Sequence, residues 1–377
     1  MALWLTSDFH LADATTVAMF DEAEQGKNMA ALCARIAGEG EGELVLLGDI
    51  FDLTAMQPPP RGVAKFGKKM GIELHDAPER DPVAMCAAVK QRHTRTIAAI
   101  AGLPKSVRVT LVPGNHDHYF GAAVGRAALD AAGLERVEIA TEVVREIADR
   151  CVLLQHGHAL DAANAAPGGD GEMLTRVMHH ALVPMLERIT PPPNVRVDPL
   201  RLATLRPEER MVPVLERWLG ERAFARFTAA LTDLLVDVGA LSRVEAWFVT
   251  AEKLRERLDD ADGLWERVGV DARAALAGKK ALSADAPRPD VLVLGHTHVP
   301  DWVAGDVDEG AERQRLYVNL GSWTCSARDA LGPIDDTLPV LRIDAPSRGL
   351  RATLEELASG RVVASFDGSV SPPRGQP

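Results

Sequence analysis

Leu44-Val45-Leu46-Leu47-Gly48-Asp49-Ile50-Phe51-Asp52 joins an apolar run to a glycine and two carboxylates, and its reading decides the fold. A continuous apolar run of this length reads as a strand buried on both faces, ending where the carboxylates begin. The pattern recurs along the chain. Ala2-Leu3-Trp4-Leu5 leads to Asp8-Phe9-His10, and Val109-Thr110-Leu111-Val112 leads to Gly114-Asn115-His116-Asp117. Val152-Leu153-Leu154 leads to His156-Gly157-His158, and Val291-Leu292-Val293-Leu294 leads to Gly295-His296-Thr297-His298. Donors at the carboxyl ends of such strands converge on one crevice in layered α/β folds.

Any one of these clusters fits a capped turn or a hydrogen-bonded core histidine. Five in succession, each behind its own strand, point to one site. The donors are oxygens and imidazoles with no thiolate among them, which suits two divalent metals held side by side. Such a pair makes a hydroxide nucleophile and clamps a phosphoryl group, so the donors predict a phosphoester hydrolase. The set suits Mn, Fe, Co, Ni or Zn, with Mn the first expectation.

With these five motifs in order, the sequence resembles the calcineurin-like metallophosphoesterases over residues 1–160 and about 286–325. The resemblance implies a four-layer αββα sandwich of two mixed β-sheets. It further implies that Asp8, His10 and His298 hold one metal and that Asn115, His156 and His296 hold the other. Asp49 would bridge the two ions, His116 would be the general acid that protonates the leaving alkoxide, and Asp52 would orient it. The chemistry agrees: two cations about 3.5–4 Å apart need a shared anionic ligand, and water between them is largely deprotonated near neutral pH. A carboxylate partner would help His116 keep its proton against the charge of the ions.

Neighbouring residues have two readings each. His158, two residues past a ligand position, touches either the surroundings of the metals or the substrate. Asp161 and Asn164 either face a substrate pocket or stabilise a turn. Asp117 either supports the ligands or closes its own turn.

The chain has 377 residues, 46% of them apolar, enough for one large domain with an inserted lobe. A formal charge of −12 argues against nucleic acid as a partner, which needs a basic face. Four cysteines, Cys33, Cys86, Cys151 and Cys325, are scattered and read as free thiols in a reducing compartment. With the first strand at Ala2 there is no room for a signal peptide, and no apolar run approaches a membrane span. The expected location is the cytoplasm, with peripheral membrane contact left open.

Strand signals alternate with helical ones, Met29 to Ala37 and then Val83 to Ala101, in a βαβ rhythm. After Leu294 only strands follow: Leu316 to Asn319, Leu338 to Ile343 and Val362 to Phe366. The core is therefore expected at 1–160 and 286–368, with a frayed tail at 369–377. Residues 161–285 read as an inserted α-helical lobe. Leu174, Met178, Ala181, Leu182, Met185 and Ile189 mark one helix, which Pro184 would kink. Phe224 to Val238 marks a second and Val244 to Leu258 a third. The lobe packs on itself, or caps the site with an apolar pocket for a lipid-like substrate. A further insert at 55–81 carries Lys65, Lys68 and Lys69, read either as a solvated loop or as cations placed over the crevice for a second phosphate.

Substrate class is narrowed by what differs from relatives. Leu53 stands where protein phosphatases of the superfamily carry a phosphate-clamping Arg. Tyr317-Val318-Asn319-Leu320-Gly321-Ser322-Trp323 is similar to the branch that includes UDP-2,3-diacylglucosamine diphosphatase. The expected substrate is a small phosphodiester or pyrophosphate, nucleotide- or lipid-linked. A phosphomonoesterase or nucleotide phosphodiesterase is the alternative, and a silent metal-binding scaffold has no need of a general acid.

Overall fold

The computed structural model describes residues 2–75, 77–206, 210–239, 261–280, 282, 287–305, 314–327, 329–332, 334–335, 337–346 and 349–368. The helix expected over Val244 to Leu258 and the tail from 369 lie outside the described residues.

Each of the five apolar runs forms a strand. β1 (Ala2–Thr6), β2 (Gly42–Leu47), β3 (Val107–Val112) and β4 (Glu138–Ile139) run parallel, side by side. β5 (Val143–Ile147) and β6 (Arg150–Leu154) make a hairpin, and β6 runs parallel to β7 (Val291–Leu294). β8 (Asp301–Gly305) and β9 (Arg315–Asn319) complete that second sheet, in the order β5-β6-β7-β9-β8. β10 (Ser326–Ala327) and β11 (Ile334–Asp335) form a two-residue ladder. The chain then returns to the first sheet as β12 (Pro339–Asp344), β13 (Arg351–Glu356) and β14 (Arg361–Asp367), all antiparallel. The order β14-β13-β12-β1-β2-β3-β4 makes a seven-stranded mixed sheet with β1 at its centre.

Side-chain alternation along the strands sets the layers. Leu3, Leu5, Val45 and Leu47 of the first sheet pack against Val152, Leu154, Val291 and Val293 of the second. Ala2, Trp4, Leu44 and Leu46 face the other way. They meet α1 (Gln25–Gly38) through Met29 and Leu32, beside residues of three more helices introduced below. The outer face of the second sheet, Leu153, Leu292, Leu294 and Tyr317, is covered by Val268, Ala272 and Leu276. Helix, sheet, sheet and helix follow in that order, which is the αββα sandwich expected.

Short helices link these layers: α2 (Leu53–Met56), α3 (Val63–Met70), α4 (Pro82–Arg92), α5 (Thr94–Ala101) and α6 (Gly125–Ala131). The stretch read as one helix over Val83 to Ala101 is broken at His93, with φ −108° and ψ 49°. Its buried Nε2 lies 2.8 Å from the Ala12 carbonyl. α4, α5 and α6 cover the first sheet beside α1 through Met85, Ile97 and Leu129.

In the segment after β6, α7 (Asp170–Val177) widens into a π turn over Met178–Leu182 and continues as α8 (Val183–Leu186). Regular α register would drive the Pro184 ring into the carbonyl of His180; the widened turn relieves that clash. α9 (Met211–Leu219) and α10 (Glu221–Asp237) follow. Leu186, Leu215, Phe224, Phe227 and Leu234 form an apolar core of their own, joined by Val63 and Phe66 of α3. α11 (Ala261–Leu276) lies within the stretch read as the insert, yet supplies the outer layer of the second sheet. α3 also differs from the loop reading of 55–81. Lys65 pairs with Asp237 at 3.0 Å and Lys69 with Asp233, so these two cations tie α3 to α10.

Candidate metal centre

Five of the seven residues singled out as ligands have left-handed backbone. The φ angles are 55° at Asp8, 51° at His10, 52° at Asp49, 73° at His296 and 57° at His298. Each such residue costs about 1–2 kcal/mol when it is not glycine. It persists where the surroundings over-determine it, and such positions cluster at functional sites. Here the first two motif loops are zipped together: Asp8 N–H donates to Gly48 O at 3.0 Å, His10 N–H to Asp49 O at 2.9 Å and Leu11 N–H to Ile50 O at 2.9 Å.

The glycines before the donors are required by close approach. A Cβ at Gly48 would fall inside the His156 ring, and one at Gly114 on Asp49 Oδ1. At Gly295 it would lie 2.6 Å from Asp8 Oδ2. The turn residues that looked like punctuation are the space in which the donors meet.

The donors converge around Asp49, which is 1% exposed. On one side His10 Nε2 lies 3.1 Å from His298 Nε2, and His298 Nε2 lies 3.5 Å from Asp8 Oδ1. On the other, His156 Nε2 is 3.1 Å from Asp49 Oδ2 and 3.3 Å from Asn115 Oδ1. His296 Nδ1 is 3.1 Å from the same Asn115 oxygen. His10 Nε2 approaches Asp49 Oδ2 to 3.9 Å, linking the two groups. His156 Nδ1 donates to Leu47 O at 2.9 Å, which turns its Nε2 toward the other donors.

These residues fit a pair of divalent ions on three observations. The buried Asp8 Oδ1 has no hydrogen-bond partner. Two imidazole Nε2 atoms face each other at 3.1 Å. Three groups of ligand atoms lie within 4.8 Å of one another: Asp8, His10 and His298; His10, Asp49 and His116; Asp49, His156 and His296. Burial raises the Asp8 carboxyl above its usual range, against the pull of His156. Burial and then His10 hold His298 well below the usual imidazole value, so both groups tend toward neutrality. His156 goes the other way: Asp49 and Asp8 outweigh burial and carry it to about 9, so an arriving ion must displace a proton.

Beside this basin stands a carboxylate–imidazole pair. Asp52 Oδ1 accepts from His116 Nδ1 at 2.7 Å, and Asp52 Oδ2 lies 3.3 Å from His10 Nδ1. Burial opposes charge on His116, but Asp52 and Asp49 outweigh it and raise the imidazole to about 10. Asp52 is held well below the usual carboxylate range by His116 and His10, again against burial. It also caps α2, accepting from Ala55 N at 3.0 Å. Asp117 has no exposed surface and ties two motifs together, accepting from Gly114 N at 2.6 Å and from Ile50 N at 2.8 Å.

His158, Asn164 and Asn115 line a small cavity of about 50 Å³ with His118, Pro167 and Glu172. His158 Nδ1 is buried without a partner, and burial with the nearby His156 lowers this imidazole to about 3. Asn164 has both polar atoms engaged: Oδ1 accepts from Asn115 at 3.1 Å and Nδ2 donates to Asp161 at 2.7 Å. Asp161 in turn accepts from His296 Nε2 at 3.0 Å. One residue escaped the sequence reading. His179, on the π turn, has a buried Nδ1 without a partner; burial lowers it to about 4 against the opposing pull of the Asp52 charge. A histidine at helical spacing in an amphipathic stretch carries no signal for this; only the widened turn before Pro184 hints at it.

A model of the calcineurin-like phosphoesterase family matches residues 1–300. No curated protein sequence matches the chain closely enough to count as a relative. Among solved structures, a dimetal phosphatase from Danio rerio is 11% identical, with 98% of this chain and 99% of that one covered and a TM-score of 0.39. Vps29 from Entamoeba histolytica, complexed with zinc, is 11% identical, with 97% and 99% covered and a TM-score of 0.32. The chain thus belongs to the calcineurin-like phosphoesterases.

Proposed function

We propose that the protein is a phosphoesterase dependent on two divalent metal ions, hydrolysing a phosphodiester or pyrophosphate bond in a small substrate. The observation that carries this is the convergence of Asp8, His10, Asp49, Asn115, His156, His296 and His298 beside the Asp52–His116 pair. In this reading Asp8, His10 and His298 hold one ion, Asn115, His156 and His296 the other, and Asp49 both, with Mn the first metal to try. Bound there, the ions would supply hydroxide at neutral pH and offset the charge of the phosphoryl group.

The chain's own residues do the rest. Asp52 accepts a 2.7 Å hydrogen bond from His116 Nδ1, which fixes the ring and favours its protonated form. His116 then holds a proton at Nε2 for the departing alkoxide, as a general acid must. Strained backbone at Asp8, Asp49 and His298 keeps the donors in place before substrate arrives. The preference for a diester or pyrophosphate over a monoester rests on the resemblance of residues 317–323 to the diphosphatase branch; a small cavity opens beside Asn115. A nucleotide- or lipid-linked substrate fits this reading, with the apolar insert as the source of any lipid contact; the motif after β9 supports the diacylglucosamine diphosphatase-like branch. Four free thiols favour a cytoplasmic setting. No described helix is long and apolar enough to cross a membrane.

The test is metal-stripped protein reloaded with Mn²⁺ on bis-p-nitrophenyl phosphate beside p-nitrophenyl phosphate, with Asp49→Asn as the blank. Faster diester cleavage that vanishes in the variant is expected. A monoester preference would move the reading to a phosphatase, and no turnover with any of the five metals would overturn it.

A further inference from the structure

The hydrogens around one half of the site can be followed one by one. Asp161, buried at 6% exposure, has both carboxylate oxygens engaged as acceptors. Its Oδ2 receives the Nε2 proton of His296 at 3.0 Å and an Nδ2 proton of Asn164 at 2.7 Å. The Asn164 carboxamide is thereby oriented with its oxygen outward, and that oxygen receives an Nδ2 proton of Asn115 at 3.1 Å. Two consequences follow at the far ends of the relay. His296 is left with a lone pair at Nδ1, and Asn115 is left presenting Oδ1. With His296 in the neutral tautomer that a metal ligand takes, these two acceptors face each other at 3.1 Å. An arrangement of that kind is repulsive unless a cation lies between them.

We propose that the turn from Asp161 to Asn164, at the entry to the insert, is a positioning clip that sets His296 Nδ1 and Asn115 Oδ1 for one of the two metals. This rests on the binuclear reading above and extends it, because it makes the affinity of that ion depend on a segment outside the strand-end motifs. Its geometry is secured from both sides. Asp161 Oδ1 accepts from Ala163 N at 3.0 Å, closing the turn on itself. Gly171, in the first turn of α7, donates its N–H to Ala163 O at 2.9 Å. A Cβ at Gly171 would fall on the Asn164 carboxamide, so the start of α7 and the clip interlock. Asp161 and Asn164 are positioning residues: neither needs to touch metal or substrate. Outer partners of metal-bound histidines commonly fix the tautomer in this way, and their loss weakens metal binding by about 10–100-fold.

The experiment is calorimetric titration of Mn²⁺ into the metal-stripped full-length protein, for the wild type, Asp161→Asn and Asn164→Asp. Asn at 161 replaces an acceptor with an amide, and Asp at 164 sets a carboxylate against Asp161, so the two variants break the relay at different links. A melting curve verifies that each is folded, and a variant that does not fold yields to the other. Two ions per chain in the wild type, with one of the two weakened by about 10–100-fold in the variants and the other unchanged, is the expected result. Asp161→Glu should recover part of the loss. Two ions bound by a folded variant as tightly as by the wild type would overturn the clip and leave the binuclear reading intact. Fewer than two ions in the wild type would overturn both.

Discussion

At the ends of β1, β2 and β7, polar side chains are buried or half-buried on left-handed backbone; between α7 and α10, apolar side chains are buried on helix. The first region holds carboxylates and imidazoles against one another at 3–4 Å and gains no apolar burial from doing so. The second gains chiefly apolar burial, with the Lys65–Asp237 and Lys69–Asp233 pairs at its surface. A site of the first kind lowers stability locally and is carried by the αββα core beneath it. A lobe of the second kind is carried by its own packing. Substitutions should therefore separate the two: at the rim, chemistry is lost and the fold survives; in the lobe, stability is lost and the chemistry of the folded fraction survives.

The largest effect belongs to the rim. Asp49→Asn should abolish metal-dependent turnover and remove at least one bound ion, a loss beyond the roughly 100-fold typical of an outer partner. Activity assays with metal counting check this, and the metal-free variant should still fold, with a melting temperature lowered because His156 and His116 lose their carboxylate partner. His116→Ala should lower kcat by on the order of 10²–10⁴-fold while metal content stays at the wild-type value. A variant that lost metal as well would show that the imidazole is a ligand and not the acid. In the lobe, Phe227→Ala removes a ring that is 1% exposed and should cost about 3–5 kcal/mol in denaturant unfolding. Its kcat below the melting transition should stay within a few-fold of wild type; loss of turnover in folded protein would break the comparison.

Acidity sharpens it further. His116 is raised from 6.5 to about 10 in the folded chain, so its pairing with Asp52 stabilises fully below about 6.5 and is lost as pH rises through about 10. Metal-free wild type should therefore lose part of its melting temperature over that window. Asp52→Asn should flatten this alkaline decline, and an unchanged slope would count against the pair. The smallest effect lies at a control position. Ala148 and Asp149, the two-residue loop between β5 and β6, have φ of 51° and 61°, the same hand as the ligands. Ala148→Gly should raise stability by about 0.5 kcal/mol with turnover unchanged, because no side chain is needed there.

The strands and their donors were legible because apolar runs closed by glycine leave little choice. β1, β2, β3, β6 and β7 all lie where those runs predict them. β13 was missed: Arg351-Ala352-Thr353-Leu354-Glu355-Glu356 has only two buried apolar residues, Ala352 and Leu354, which give no run to notice. The edge strands β5 and β8 are short and largely half-buried or exposed, so they too give no apolar run. Helix signals were sound as to residues and weak as to breaks. His93 ends α4 through a contact with Ala12, about eighty positions away, which no local pattern contains. The three lysines of 55–81 advertised charge without naming a partner, and α10 supplies it to two of them. Asp161 and Asn164 looked like ordinary turn residues, and they do close a turn; what sequence could not give is that His296 and Asn115 lie at its far side.

The 3.1 Å approach of His10 to His298 spans 288 positions of sequence. Contacts so remote form late, since the entropy of closing the loop must be met before they return any energy. A nascent chain that has emerged only as far as β6 carries Asp8, His10, Asp49 and Asn115 without their imidazole partners from β6 onward. In the proposed binuclear reading, metal loading would report that synthesis and sheet docking are complete, and ions that favour the native state alone would act as the latch that holds the finished chain folded.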